Sequence, residues 1–397
     1  MKFSAYQESI FDFGSNGTGN AIIEAVAGSG KSTTLVELVK RLTGSHIFLA
    51  FNRFIVEELK KRGCNAKTFH GLCTRAVLQF KRADEIEPNK LSILVNQNFS
   101  TESKHKYQSF CKKLVGLAKQ SGIGCLIEDN IENWEQIVAY HDLEVDNDEG
   151  TIERGIELAQ MLLKESNESR MVDFDDLLYL VVKEGLALPR FNNVLIDESQ
   201  DTNAIQRAII HKILMMNGRL FAVGDPAQAI YGFRGADSNS MNMIAEEFKC
   251  IRLPLTVSYR CCKTVVEYAR QWVAHIEPSE TAYSGAVETL SDWTLDLFDT
   301  EDLVVCRTTA PLIQLAYKML KAQKPVRILG KDIGEGLVSL IGKMKSENDV
   351  DVLQKNLYAY QAREVEKARK EENEQKMESI SDKVSAILTL LESLEEG

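Results

Sequence analysis

The apolar positions of Tyr6-Gln7-Glu8-Ser9-Ile10-Phe11-Asp12-Phe13 fall at the spacing of a short amphipathic helix, and Gly14-Ser15-Asn16-Gly17-Thr18-Gly19-Asn20 after it is a loop by composition. Ile22-Ile23-Glu24-Ala25-Val26 is a short, largely apolar run with β-branched residues, which predicts a buried strand; Leu35, Leu38, Val39 and Leu42 then return at helical spacing. His46-Ile47-Phe48-Leu49-Ala50-Phe51 predicts a second strand, with Asn52-Arg53 placed to cap a helix over 54–62. A third short strand around Ala66-Lys67-Thr68-Phe69-His70 leads into another helix. Strands and helices alternating in this way predict an α/β fold, a parallel sheet with crossover helices.

From about 84 to 170 the pattern changes to polar segments with helical spacing (Leu91, Leu94, Val95; Phe110, Leu114, Leu117; Ile131, Trp134, Ile137, Val138), a helical insertion with the acidic run 144–149 as a surface loop. The sheet pattern then resumes. Val172-Asp173-Phe174-Asp175-Asp176-Leu177-Leu178 opens a helix, Asn193-Val194-Leu195-Ile196 is a buried strand ending in Asp197-Glu198-Ser199-Gln200-Asp201, and Arg219-Leu220-Phe221-Ala222-Val223 is the next strand. After Leu253-Pro254-Leu255 a new unit is expected, with a helix over 263–275 and a buried strand at Leu303-Val304-Val305-Cys306-Arg307. A helix carrying Leu312, Leu315, Met319 and Leu320 follows, then Val326-Arg327-Ile328-Leu329. Beyond 345 there is no proline and no glycine before Gly397, and Val384, Ile387, Leu388, Leu391 and Leu394 form one helical face. The expected division is an α/β domain in two pieces (1–83 and 171–256) around the helical insertion (84–170), a partial second domain (257–344) and a charged helical segment (345–397).

Bulk properties change this picture little. A length of 397 residues predicts roughly two to four units, and 44% hydrophobic with 26% charged residues describes an ordinary globular chain. No run approaches the ~20 apolar residues of a membrane span, and the first residues lack the apolar core of a signal peptide. Eight scattered cysteines without C-x-x-C spacing fit a reduced, cytoplasmic compartment. A net charge of −11 argues against nucleic acid as a partner, but it is a sum; Lys60-Lys61-Arg62, Arg75 and Lys81-Arg82 are a local basic excess.

The chemistry begins after the first strand. Gly28-Ser29-Gly30-Lys31-Ser32, between a strand and a helix, is the phosphate-cradling P-loop arrangement. Backbone N–H groups and the helix N-terminus hold phosphates, Lys31 reaches the β/γ-phosphates, and Ser32 can ligate magnesium. The strict pattern has Gly where this chain has Ala25, so the motif alone also fits a glycine turn before an ordinary helix. Asp197-Glu198 at a strand end is the natural complement: an Asp carboxylate near the metal and a Glu that polarises a water for in-line attack. Taken alone, the same pair is more usually a solvated loop.

Together the motifs resemble UvrD/Rep-like superfamily-one DNA helicases. Gln7, the Gly28–Ser32 core, Ala50-Phe51-Asn52, Thr68-Phe69-His70, Val172-Asp173-Phe174-Asp175-Asp176-Leu177, Asp197-Glu198-Ser199-Gln200-Asp201, Gly224-Asp225-Pro226-Ala227-Gln228-Ala229-Ile230-Tyr231-Gly232-Phe233-Arg234-Gly235-Ala236 and Tyr259-Arg260 occur in that family's order. The resemblance covers roughly 6–80 and 171–330, and Ala at position 25 is usual in that family. It implies RecA-like P-loop domains acting on ATP and Mg²⁺, with single-stranded DNA and its junctions with duplex as partners. Glu198 is the implied catalytic base, Gln228 a γ-phosphate sensor and Arg260 a further phosphate contact. Gln7, Ala27, Gly28, Ser29, Gly30, Lys31, Ser32, Thr33 and Tyr259 are the implied nucleotide contacts, and Ser32 and Asp197 the metal contacts. Phe51, Asn52, Thr68, His70, Tyr231, Phe233 and Arg234 are the implied DNA contacts, where aromatic faces stack on bases without reading sequence. Core packing is the competing reading of Phe51 and Phe233, and a structural histidine that of His70.

The resemblance also implies a Thr-x-His-x-x-Lys-Gly segment and an arginine-finger segment in the second domain, and neither follows Arg260 in this sequence. The expectation is a truncated or naturally shortened second domain. Two alternatives stay open beside the helicase reading: an ATP- and DNA-binding fragment that does not unwind, and a P-loop ATPase with another substrate.

Overall fold

Alternate residues of the buried strands face opposite layers, and this decides the architecture. In the computed structural model, Ile22, Ile47, Leu49, Val194, Ile196, Leu220 and Ala222 enter one apolar cluster, whereas Ala21, Ile23, Ala25, Phe48, Ala50, Leu195, Phe221 and Val223 enter another. A sheet covered on both faces follows, with near-continuous apolar strands. The structure describes residues 3–146, 149–229, 239–306, 310–327, 338, 340–342, 344, 349–370, 377, 380–381, 383–385, 387–388 and 391.

The described chain divides into two compact units, 1–287 and 288–397. The first is built on a parallel sheet of six strands: β1 (Ala21–Ala25), β2 (His46–Ala50), β3 (Ala66–Thr68), β4 (Phe191–Ile196), β5 (Leu214–Gly224) and β6 (Ile251–Leu255), in the spatial order β3-β2-β4-β5-β1-β6. Helices α1 (Ala5–Asn16), α2 (Lys31–Val39) and α3 (Arg53–Lys61) pack on one face through Ile10, Phe11, Leu35, Leu38, Val56 and Leu59. The other face carries α4 (Phe69–Lys81), the helical insertion α5 (Lys90–Asn98), α6 (Thr101–Ser121), α7 (Ile131–Tyr140) and α8 (Ile152–Glu168), then α9 (Asp176–Lys183), α10 (Ala204–Ile213) and α11 (Ser240–Glu247). The chain runs outward from β1 to β3 over the first face and returns over the second, as right-handed crossovers require. This is the RecA-like α/β arrangement.

Two local outcomes differ from the sequence reading. The third strand stops at Thr68 because the Thr68 side chain accepts from Gly71 N, so that Phe69 and His70 are already helical. Strand β6 was not expected: in the sequence Leu253-Pro254-Leu255 marks only the point after which a new unit begins, and a proline is out of place in an inner strand. It is tolerated because, among the described residues, β6 is the sheet's edge and bonded only to β1, so that no described neighbour needs the missing N–H. Beyond it, β7 (Val257–Ser258) pairs with β8 (Glu277–Pro278) around α12 (Lys263–Ala269), still within the first unit.

In the second unit, α13 (Ala310–Lys321) and α14 (Val350–Lys370) supply Ile313, Leu353 and Leu357 to a cluster with Val384, Ile387, Leu388 and Leu391. The helical face read from the sequence is therefore buried over these residues; Leu394 lies outside the described ones. The strand expected at 303–307 is corrected: residues 303–306 form no strand, and Leu303 and Val305 are 74% and 78% exposed. A strand needs a neighbour to take its backbone groups, and the described residues of this unit contain none.

Candidate functional site

Because every ladder in the six-stranded sheet is parallel, the carboxyl ends of its strands share one edge, where ligands of open α/β sheets sit. Among the described residues, most of those singled out from the sequence lie at or beside this edge. The loop after β1 holds 26–30, the loop after β2 holds Phe51 and Asn52, and Thr68 ends β3. Asp197 and Glu198 follow β4, Asp225 and Gln228 follow β5, and Tyr259 and Arg260 follow β7.

The loop after β1 turns on two glycines with left-handed backbones, Gly28 (φ 72°) and Gly30 (φ 81°). Gly30 is the N-cap of α2 and carries no capping side chain, which leaves the first-turn amides to an anion. Ala27 and Thr33 flank the turn and are half-buried, and Ser29 is buried with an unpartnered Oγ. Gly28 is also a point of close approach. A Cβ there would lie 2.5 Å from Arg260 Cβ and 2.9 Å from Ser258 Oγ, and Gly28 O accepts from Tyr259 N at 2.9 Å. Tyr259 and Arg260 are thus seated on the phosphate loop with exposed side chains.

Two charged contacts join this loop to the end of β4. Ser32 Oγ donates to Asp197 Oδ2 at 2.7 Å, and Lys31 Nζ pairs with Glu198 Oε2 at 3.0 Å. Burial pushes the Asp197 carboxyl above its usual range, with the Glu198 charge adding to the rise and the Ser32 hydroxyl opposing it. Glu198 itself holds a left-handed backbone (φ 55°, ψ 46°), a local strain of the kind found where a side chain must be aimed.

Sequence reasoning missed what ties these parts together. Gln200 Nε2 donates to Glu198 Oε2 at 2.8 Å, while Gln200 Oε1 accepts from Asp225 N at 3.1 Å. Asp225 Oδ2 in turn accepts from Gln228 Nε2 at 2.6 Å. The result is an unbroken polar chain Lys31–Glu198–Gln200–Asp225–Gln228 across three strand ends. Gln200 and Asp225 lie in the strings that carry the resemblance; only their pairing was hidden, because it spans 25 residues. Asp201, beside them, is buried with Oδ1 unpartnered, and burial first and the Glu198 charge second push its carboxyl up to about 6.

Gln7 is almost fully buried beneath the loop. Its Oε1 accepts from Ser4 N (3.0 Å) and lies 3.4 Å from Tyr259 OH, and its Nε2 donates to Thr34 Oγ1 at 2.9 Å. It therefore caps α1 and braces α2 while sitting between the phosphate loop and Tyr259.

Toward the β2–β3 end the edge is different in kind. Asn52 and Thr68 are helix N-caps whose side-chain oxygens accept from Ile55 N and Gly71 N at 2.9 and 3.0 Å. Phe51 and His70 are half-buried, and burial lowers the His70 pKa, which favours a neutral ring. Phe174, absent from the expected contacts, is 47% exposed with its ring edge-on to His70, centroids 6.3 Å apart. Its place inside Val172–Leu177 was the available signal. Tyr231, Phe233 and Arg234 lie outside the described residues.

Among the described residues no group of three or more His, Cys, Asp or Glu side chains could hold a metal ion. The carboxylate of Asp197 beside the hydroxyl of Ser32 is instead the partial oxygen set that Mg²⁺ takes when phosphates and waters complete its shell, so these residues fit that ion. Among the described residues, too, no helix is long and apolar enough to cross a membrane.

Comparisons with known proteins follow the same lines. A probable DNA helicase II homolog of Mycoplasma pneumoniae is 26% identical over 297 residues, covering 66% of this chain and 41% of that protein. DNA helicase II of Haemophilus influenzae is 27% identical over 288 residues (65% and 38%), and the ATP-dependent DNA helicase Rep of Buchnera aphidicola 25% over 307 residues (69% and 43%). The chain spans less than half the length of each of these relatives. The model of the UvrD/REP helicase N-terminal domain matches residues 8–249. That match spans the phosphate loop, the Asp197-Glu198 strand end and the polar chain to Gln228, and it covers more than half of the sequence: the chain belongs to the UvrD/REP helicase family.

Proposed function

We infer that this chain acts as an ATP-dependent DNA helicase or translocase of UvrD/Rep type. On this reading it binds ATP with Mg²⁺ at the β1–β4–β5 part of the edge, and single-stranded DNA and its junction with duplex along the β2–β3 part. The polar chain from Lys31 to Gln228, beside the Ser32–Asp197 pair, carries the reading. A P-loop that only binds phosphate has no use for a hydrogen-bonded link to a neighbouring strand end; a site that passes its nucleotide state onward does.

The backbone of Ala27, Gly28, Ser29, Gly30 and Thr33 cradles the phosphates, and Lys31 exchanges Glu198 for their oxygens. Ser32 and Asp197 would hold the magnesium ion, which would supply charge neutralisation to the phosphates. Released from Lys31, Glu198 orients the attacking water and accepts its proton, while Gln200 fixes the carboxylate. Tyr259 and Gln7 face the base, and Arg260, seated on Gly28, contacts phosphate. Gln228 senses the γ-phosphate and reports it through Asp225.

Phe51, His70 and Phe174 offer ring faces or edges to bases. Asn52 and Thr68 have spent their oxygens on caps but keep amide and hydroxyl donors, which suit phosphate oxygens. Tyr231, Phe233 and Arg234 join this path on the resemblance alone. Movement in the 3′→5′ sense, with duplex unwinding, is the family's mode and completes the reading, with the α/β domain over 1–83 and 171–256, the helical insertion over 84–170, a partial second domain over 257–344 and a charged helical segment over 345–397. The test is ATP hydrolysis with and without oligothymidylate. Magnesium-dependent hydrolysis stimulated several-fold by the oligonucleotide is expected, whereas hydrolysis indifferent to DNA would replace the helicase by an ATPase with another substrate.

A further inference from the structure

The turn between α8 and α9 holds an ion cluster that the nucleotide site does not use. Lys90, the first residue of α5, and Lys119, in the last turn of α6, are almost completely buried, as are Asp173 and Asp176. Lys119 Nζ donates to Asp176 Oδ1 at 2.8 Å, Asp173 Oδ2 at 3.0 Å and Ser166 Oγ of α8 at 3.0 Å. Lys90 Nζ donates to Asp176 Oδ2 at 2.5 Å and to Ser166 O at 2.7 Å. The carboxylates also accept from each other's backbone, Asp173 N to Asp176 Oδ2 at 3.0 Å and Asp176 N to Asp173 Oδ1 at 2.8 Å. Burial works against ionisation of Asp176, yet the ammonium groups of Lys119 and Lys90 outweigh it and hold its carboxyl below the usual range.

Buried ions of this kind are a costly way to stabilise a fold, because apolar packing does the same without desolvating charge. What they do well is fix a geometry. With Asp173 and Asp176 pinned at both ends of the turn, the two residues between them have little freedom. Asp175 is held against α6, its Oδ1 accepting from Gln120 Nε2 at 3.1 Å and its Oδ2 3.2 Å from where a Gly116 Cβ would stand. Phe174 is left facing outward, edge-on to His70. Among the described residues, the side chains that hydrogen-bond to the aspartates of this turn from outside it belong to the helical insertion: Lys90 on α5, and Lys119 and Gln120 on α6. Ser166 on α8 holds both lysines in place.

The geometry points to Lys119 and Lys90 as positioning residues that make the helical insertion set the place of Phe174 on the DNA-binding edge, so that a shift of the insertion moves that aromatic step. The proposal rests on the reading of this edge as a single-strand path. It assigns the insertion a part in base stacking although none of its own side chains need touch the strand.

A double-mutant cycle on the full chain tests it, with oligothymidylate binding followed by fluorescence anisotropy and nucleotide binding by a fluorescent ATP analogue. Phe174→Ala should weaken oligothymidylate binding about tenfold, the loss of one stacked base. Lys119→Met should weaken it by a similar factor, leave nucleotide binding unchanged, and add nothing in the Phe174→Ala background. Losses that add in the double variant, or a Lys119→Met protein that loses nucleotide and DNA together, would show a merely structural lysine and overturn the proposal. If Lys119→Met does not fold, Gln120→Leu, which cuts only the Asp175 tether, carries the same cycle with a smaller expected loss; no loss there, or an additive one, is equally fatal. Unchanged binding by Phe174→Ala alone would instead overturn the single-strand reading of the edge, and this inference with it.

Discussion

The two ends of one sheet edge are built on different physical plans. At the β1–β4–β5 end, the charged and amide side chains hold one another: Ser32 to Asp197, Lys31 to Glu198, then Gln200, Asp225 and Gln228 in series. At the β2–β3 end, the polar side chains are spent on helix caps, and the partly exposed groups are rings. The first plan suits a ligand of fixed geometry and high charge, because preorganised donors need no reorganisation when the charge arrives. The second suits a sliding polymer, because stacking is tolerant of which base is present. One edge can therefore hold one ligand rigidly and let another pass.

The comparison breaks most sharply at Glu198. Glu198→Gln keeps the hydrogen-bonding shape but removes the proposed base, so hydrolysis should fall by about 10²–10⁴-fold while nucleotide and oligothymidylate binding persist. Single-turnover hydrolysis beside equilibrium binding reads both quantities. A variant that hydrolyses normally would move the base elsewhere, with Asp201, whose carboxyl is pushed up to about 6, as a candidate.

The next effect is expected at Gln200, the link of the polar chain. Gln200→Ala leaves the buried Asp225 N–H without its acceptor, at about 1–3 kcal/mol, and separates Glu198 from Gln228. Stimulation of hydrolysis by oligothymidylate should be largely lost, with DNA-free hydrolysis changed much less. Equal loss of both rates would make Gln200 a prop for Glu198 and nothing more.

How much of this was legible in the sequence follows the same division by range. The phosphate loop is local: strand, two glycines, Lys31 and Ser32 lie within a dozen residues, and the glycine positions meet their left-handed backbones directly. The sheet was legible because both its faces are buried, so its strands are apolar runs. Strand β6 was not, since Pro254 is acceptable only at an edge, and edge position is a property of the assembled sheet. Leu303-Val304-Val305-Cys306 misled in the opposite sense, an apolar run without a partner ladder. The ion cluster was least legible of all. Lys90 and Lys119 look like surface lysines on amphipathic helices, and their aspartates stand 86 and 57 residues further on.

The smallest effect expected lies where the stacking end meets that cluster, at Asp175. Burial first, and the charge of Asp173 second, push its carboxyl from an ordinary 3.8 to about 6, with Lys119 and Gln120 opposing the rise. The folded chain thus holds this proton more tightly than the unfolded chain. The carboxyl therefore contributes most to stability below pH 3.8, and that contribution is lost as pH rises through 6. Asp175→Asn, which cannot ionise, should be more stable than the parent at pH 7.5 by on the order of 1 kcal/mol, the ceiling set by the shift being reduced by a weaker bond from Gln120. At pH 5 the gain should shrink toward zero. Urea midpoints of the two proteins at both pH values give the difference, with every other ionisable side chain common to both. A gain that stays constant with pH would mean that Asp175 is charged in the fold at both values. The turn would then hold a net negative charge beside Phe174, and the stacking end would be less hospitable to phosphate than the rings on its surface suggest.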